Sequence, residues 1–225
     1  MFQFTERLWN LLFPAFCVSC NKPGDWWCAR CRKNVEKIQG RICPTCLSLG
    51  DHQCSGNLLF KQVWSFGLYH DPILRSVVTK LKFNGVTILK NDLQKFLCSV
   101  PTLMIPADAV IVPMPLSEKR LKERGFNQAE YLANIMKEVF KWKNYVDLET
   151  IKRVKHRDPQ SGMEHEYKLR AGNVFGAFEC IKEPPKLVVL VDDVVTTGAT
   201  ASEVAKTLIQ AGTKEVSLIT LAIGA

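Results

Sequence analysis

Long apolar runs are missing from this chain of 225 residues. No stretch approaches the ~18 consecutive apolar residues that cross a bilayer, so no transmembrane helix is expected. A secretory leader is not expected either: MFQFTERLWNLLFPAF is apolar but carries Glu6 and Arg7 and lacks a small-residue cleavage site. Acid is in short supply. The formal net charge is +8, and the basic surplus concentrates between Leu116 and Arg170, a balance that permits contact with phosphates or nucleic acid. Cysteine is scarce after residue 54, where only Cys98 and Cys180 remain. Standing alone, these two read as buried small apolar residues. No long linker interrupts the chain. What is present is ordinary for a globular protein, with 47% apolar and 23% charged residues. The length suits one ordinary domain plus a small one.

The other seven cysteines fall before residue 55, as Cys17-x-x-Cys20, Cys28-x-x-Cys31, Cys43-x-x-Cys46 and Cys54. A CxxC unit places two thiolates on one tight knuckle, and two knuckles complete a tetrahedral zinc site. Cys17, Cys20, Cys28 and Cys31 form the favoured set, with turn-forming residues from Asn21 to Asp25 between the pairs. Cys43, Cys46 and Cys54 supply three thiolates of a second site to which His52 could add a nitrogen; the position that would complete another CxxC is Asn57. One zinc is the favoured reading; exchange between knuckles, with Cys17/Cys20 joining Cys43/Cys46, is an alternative that the spacing leaves open. Disulfides fit poorly without a leader, and a redox CxxC fits poorly without a βαβ context. A segment this small has too little core to fold unaided, so metal binding here is also folding. Trp26 and Trp27 are expected to pack the module, with base stacking as the alternative. Before it, Phe4, Leu8, Leu11 and Leu12 share one helical face, which either packs on the protein or docks a partner.

The main domain opens with strand-like LLFKQVWSFGLY. Asp71-Pro72 is an N-cap followed by Pro at the first helical position, and Leu74, Val77, Val78 and Leu81 give the buried face. That helix is expected to stop at Asn84-Gly85, and another spans Leu89 to Leu97. Ala109 to Val112 reads as a strand. It runs through Pro113-Met114-Pro115 into a basic loop, Leu116 to Gly125. A helix follows, capped by Asn127 with Glu130 and stapled by Phe126 on Tyr131, burying Leu132, Ile135, Met136, Val139 and Phe140. Ile151 to Phe178 is a long basic segment of the kind that forms a lid. Arg153, Lys155, His156 and Arg157 could close on a polyphosphate, with Gln160 and Arg170 as further polar candidates. His156 and His165 are more simply exposed residues than proton carriers. Phe175 to Cys180 should return as a strand.

The centre of the sequence's chemistry is LVVLVDDVVTTGAT, Leu187 to Thr200. Its β-branched start reads as a strand buried on both faces of a parallel sheet. Asp192 and Asp193 then stand at the carboxyl edge, where open α/β sheets bind ligands. Thr196, Thr197, Gly198, Ala199 and Thr200 lead into a helix whose N-terminal amides and hydroxyls can wrap a phosphate. Acceptors for sugar hydroxyls beside donors for a phosphate suit a phosphorylated ribose; a metal on the two acids is the competing use. Ala201, Val204, Ala205, Leu208 and Ile209 give the helix face. Gly212 stops it, and Val216 to Ile223 completes a βαβ unit.

Val188 to Thr200 resembles, without a gap, the phosphoribosyl-pyrophosphate (PRPP) motif of type I phosphoribosyltransferases. The resemblance implies that the acid pair holds the ribose hydroxyls and the TTGAT loop the 5′-phosphate. The order of cysteine module, LKF helix, VPMPLSEKRLKERGFNQAEYLA, KRVK, NVFGAF and this motif resembles the ComF family over nearly the whole chain. Arg124 to Ala129 and the VDDVVTTGAT run are its most specific pieces. Asn57, where the family can carry a fourth CxxC, and Asp158, where its lid often has Thr, are the departures.

The resemblance implies an α/β fold: a type I phosphoribosyltransferase-like parallel sheet flanked by helices over residues 61–225, after a zinc-ribbon-like module over residues 1–60. It implies Zn2+, PRPP as substrate or ligand with Mg2+, and pyrophosphate contacts from Met114, Arg120, Arg124 and Arg153. It also implies a cytoplasmic protein that acts on incoming single-stranded DNA in natural competence, beside a ComFA-type ATP-driven helicase at a membrane DNA-uptake complex. The rival is a non-enzymatic protein that senses PRPP or grips DNA. No residue identifies itself as a nucleophile.

Overall fold

The computed structural model describes residues 14–38, 42–50, 54, 59–83, 86–154 and 175–224. The expected amino-terminal helix, the Asn84-Gly85 stop, His52, Asn57 and the lid candidates Lys155, His156, Arg157, Asp158, Gln160, His165 and Arg170 lie outside them.

Four strands form one parallel sheet in the order β1 (Val63–Ser65), β6 (Glu215–Ile223), β5 (Leu187–Val195) and β2 (Val110–Pro113). A parallel sheet must be covered on both faces, and the alternation of side chains along β5 shows how. Val189 and Val191 join Ile111, Ile219 and Leu221 on one face, beneath α2 (Pro72–Lys82), α3 (Val86–Leu97) and α5 (Gln128–Phe140). Val188 and Leu190 join Val112, Val216 and Leu218 on the other, beneath α6 (Ala199–Gln210). A separate antiparallel pair, β3 (Ile151–Arg153) and β4 (Phe178–Cys180), packs on this second face through Ile151 and Phe178.

The helix signals hold. Asp71 caps α2 by accepting from the backbone N–H of Ile73 and Leu74, and Asn127 caps α5 by accepting from Ala129 N. Four expectations need correction. The basic stretch expected as a loop contains a helix, α4 (Glu118–Arg124), capped by Ser117 and stopped by Gly125 at φ +76°. It buries no residue, so it lacks the apolar stripe by which a helix is recognised. Cys98 is exposed, just past the last buried turn of α3, and Cys180 is half-buried because it ends β4. Ile209 is exposed, rotated past the buried Val204–Leu208 face of α6.

The cysteine segment divides between the two sheet faces. Cys17, Trp27, Cys31 (in the short helix α1, Ala29–Lys33) and Val35 belong to the core of the first. Trp27 is fully buried, with its ring 4.8 Å from that of Phe96. Asp92 on α3 accepts from Trp27 N at 2.9 Å and from the Arg32 guanidinium at 2.7 Å. Ile42 and Leu47 belong to the core of the second face.

Candidate functional site

At the carboxyl edge of the sheet, the ends of β2 and β5 and the start of α6 enclose a cleft of about 240 Å³. All the residues singled out in DDVVTTGAT from Asp192 to Thr200 line it. Asp192 Oδ1 accepts from Asp193 N at 2.8 Å, and Asp193 Oδ1 from Val194 N at 2.9 Å. Asp193 is 3% exposed, and its Oδ2 accepts no hydrogen bond; Lys82 Nζ faces it at 3.6 Å. Burial, reinforced by the neighbouring Asp193 carboxylate, holds the Asp192 carboxyl well above the usual carboxylate range. The loop turns at Gly198, whose φ of +72° is a left-handed conformation suited to glycine. Gly198 offers α6 no side-chain cap, although Ala199 N donates to Thr197 Oγ1 at 3.4 Å; the first turn of the helix lines the cleft with the positive end of its dipole.

The opposite wall is basic. Arg120 and Arg124 reach it from α4, and Arg153 from the end of β3, with its guanidinium 5.5 Å from the Phe178 ring centroid. Burial, then the charge of Arg120, pushes the Arg153 pKa down, yet a guanidinium stays charged at neutral pH. Three guanidinium groups lining one small cleft can hold a multiply charged anion. Met114 is also in the wall, but its N–H donates to Val191 O at 2.8 Å and its carbonyl accepts from Asn127 Nδ2 at 3.1 Å.

Two lining residues escaped the sequence reading. Lys82 ends α2 and looks there like an ordinary partner of a helix C-terminus. Gln128 opens α5, is 6% exposed, and leaves its Oε1 without a hydrogen-bond partner. Its place in the RGFNQA motif was the available signal.

Away from the cleft, the sulfurs of Cys17, Cys20, Cys28 and Cys31 lie within 4.8 Å of one another. Cys20 and Cys28 are 3.7 Å apart, close to the ~3.8 Å edge of a tetrahedron of thiolates around zinc. Burial would raise the Cys17 thiol, but backbone N–H groups of Cys20, Cys28 and Ser19 bring it down to about 6. Burial and its neighbouring thiols push Cys31 up to about 12. Four sulfurs this close together suit a shared cation. Cys43, Cys46 and Cys54 form a second group, also within 4.8 Å of one another. Each group can therefore hold a metal ion. The exchanged pairing of Cys17/Cys20 with Cys43/Cys46 is not what the fold brings together. Among the described residues, no helix is long and apolar enough to cross a membrane.

No family model matches the chain. It is similar to competence protein ComFC of Bacillus subtilis, with 29% identity over 93% of this chain and 87% of the relative. Competence protein F of Haemophilus influenzae is 29% identical over 87% of this chain and 89% of the relative. The DNA utilization protein YhgH of Salmonella typhi is 30% identical over 92% of this chain and 96% of the relative. At 30% identity over nearly the whole of both chains, the relationship to YhgH shows the family: the chain belongs to the ComF family, with ComFC, competence protein F and YhgH.

Proposed function

We propose that the cleft binds PRPP, and that the protein uses this site in DNA uptake or utilization, as the names of its relatives suggest. The observation that carries the reading is a pair of buried acceptors short of donors in the same cleft as the α6 N-terminus: Gln128 Oε1, which accepts no hydrogen bond, and Asp193 Oδ2, which has only the ion pair with Lys82 at 3.6 Å. Buried acceptors short of hydrogen-bond donors are costly, and a ligand rich in hydroxyls relieves that cost. Asp192 and Asp193 take the ribose hydroxyls. Thr196 to Thr200 take the 5′-phosphate, and Arg120, Arg124 and Arg153 take the pyrophosphate. Mg2+ accompanies the diphosphate and offsets its charge, with the acid pair as the nearest oxygen donors.

In turnover, the basic wall stabilises pyrophosphate as it leaves C1′. In a purely sensing protein the same wall only holds the ligand. Residues 1–60 are taken as a zinc module and 61–225 as the phosphoribosyltransferase-like unit of a cytoplasmic protein. Single-stranded DNA and a ComFA-type helicase are the partners the family suggests.

Calorimetry with PRPP and Mg2+, paired with pyrophosphate release in the presence of bases or single-stranded DNA, tests the reading. Asp192→Asn with Asp193→Asn should weaken PRPP binding by about 100-fold, as expected when hydrogen bonds to charged groups are lost. An ionised Asp192 is a stronger acceptor for a sugar hydroxyl than a protonated one, so affinity should rise with pH through its raised titration. That rise should vanish in Asp192→Asn. Absence of PRPP binding to the parent would sink the proposal; binding without release in every mixture would leave sensing as its function.

A further inference from the structure

The phosphate loop is wedged from two sides. Behind it, a methyl group on Gly224 would lie 3.2 Å from Thr196 Cα. In front, a methyl group on Gly198 would overlap Leu47 Cδ1 and come within 3.4 Å of its Cγ. Leu47 belongs to the second cysteine knuckle, directly after Cys46. It is 4% exposed although Cys46 beside it is exposed. Its backbone is left-handed, at φ +63°, a region that non-glycine residues other than Asn, Asp and His seldom enter. At the same place in the first knuckle stands Asn21, at φ +56°, a residue that tolerates the conformation. Leucine is therefore disfavoured by the turn that holds it, and its contact is what sets it apart.

We propose that Leu47 is a positioning residue through which the metal-binding Cys43–Cys46 knuckle sets the shape of the phosphate loop at Gly198. Metal held by Cys43, Cys46 and Cys54 fixes the knuckle, the knuckle fixes Leu47, and Leu47 keeps Gly198 and the first amides of α6 in place. By linkage, ligand on the loop in turn strengthens metal retention at this knuckle. The inference rests on the reading of Thr196 to Thr200 as the phosphate site.

The test uses the full zinc-loaded chain with two readouts: amide hydrogen exchange over residues 196–200, which needs no ligand, and affinity for ribose 5-phosphate and PRPP. Leu47→Ala should keep parental zinc content, speed exchange in the loop and weaken both ligands by about tenfold, a usual size for coupling between sites. Leu47→Gly accepts the left-handed backbone without strain and should do the same, which guards against misfolding of the alanine variant. Leu47→Met, which preserves volume, should stay parental. Cys46→Ser should lose zinc and reproduce the loop change, whereas Asn21→Ala in the other knuckle should not. Unchanged loop exchange in Leu47→Gly and Cys46→Ser overturns the proposal. If the parent binds neither ligand while Leu47→Gly still speeds exchange, the coupling stands and the phosphate reading falls.

Discussion

The knuckles at Cys17–Cys20 and Cys43–Cys46 share one backbone plan. In each, the first cysteine's carbonyl accepts at 2.9 Å from the residue after the second cysteine, Asn21 or Leu47. Each first cysteine donates at 2.9 Å to a carbonyl five residues on, that of Lys22 or Ser48. A bridge closes each turn, Phe16 to Pro23 and Ile42 to Leu49, and a left-handed glycine follows, Gly24 or Gly50. Their surroundings differ. The first knuckle sits on the α2–α3 face of the sheet, where Trp27, Arg32 and Asp92 tie its neighbourhood down. The second sits on the α6 face and extends Leu47 to the loop at Gly198. One geometry thus serves anchoring on one side of the sheet and contact with the cleft on the other. The side chain at the left-handed position marks the difference.

The largest expected effect is on anchoring. Trp27→Ala empties a fully buried site and should cost about 3–5 kcal/mol in denaturant unfolding. A loss below about 1 kcal/mol would mean that the first knuckle is not part of the core. Asp92→Ala comes next. It leaves the Trp27 amide without its acceptor and the largely buried Arg32 guanidinium, which still donates to the Trp27 carbonyl, without its carboxylate; it should cost about 3 kcal/mol with no change in ligand affinity at a temperature where the protein stays folded. A fall in affinity there would blur the division of labour. Smallest is the exchange of the left-handed residues. Asn21→Leu should lose about 1 kcal/mol through backbone strain alone. Leu47→Asn should change stability less, because relief of strain offsets lost packing, yet weaken ligand binding. Equal effects of the two substitutions on affinity would erase the comparison.

The elements that sequence reading located share strong local signals. β5 is β-branched, α2 and α5 carry their caps, and α6 has an apolar stripe. The acid pair and the loop from Thr196 to Thr200 are contiguous, so their meeting in one cleft needed no tertiary information. Lys82 and Gln128 did need it, since they come from the far end of α2 and the first residue of α5. The helix α4 was hidden because it buries nothing, and only Ser117 and Gly125 mark its limits. Cysteine spacing alone left the partnering of the knuckles open; the sheet decides it by carrying them to opposite faces. The contact of Leu47 with Gly198 joins residues far apart in the chain, and no local pattern records such a pair.

The ion pair of Lys82 with Asp193 means that the cleft carries its own counterion. On the proposed reading, a cation arriving with PRPP would meet a carboxylate already neutralised in part, and its binding at Asp193 would exchange one cation for another. The resting site avoids the cost of an uncompensated buried charge. The affinity for PRPP with Mg2+ would then be a difference between two ionic arrangements.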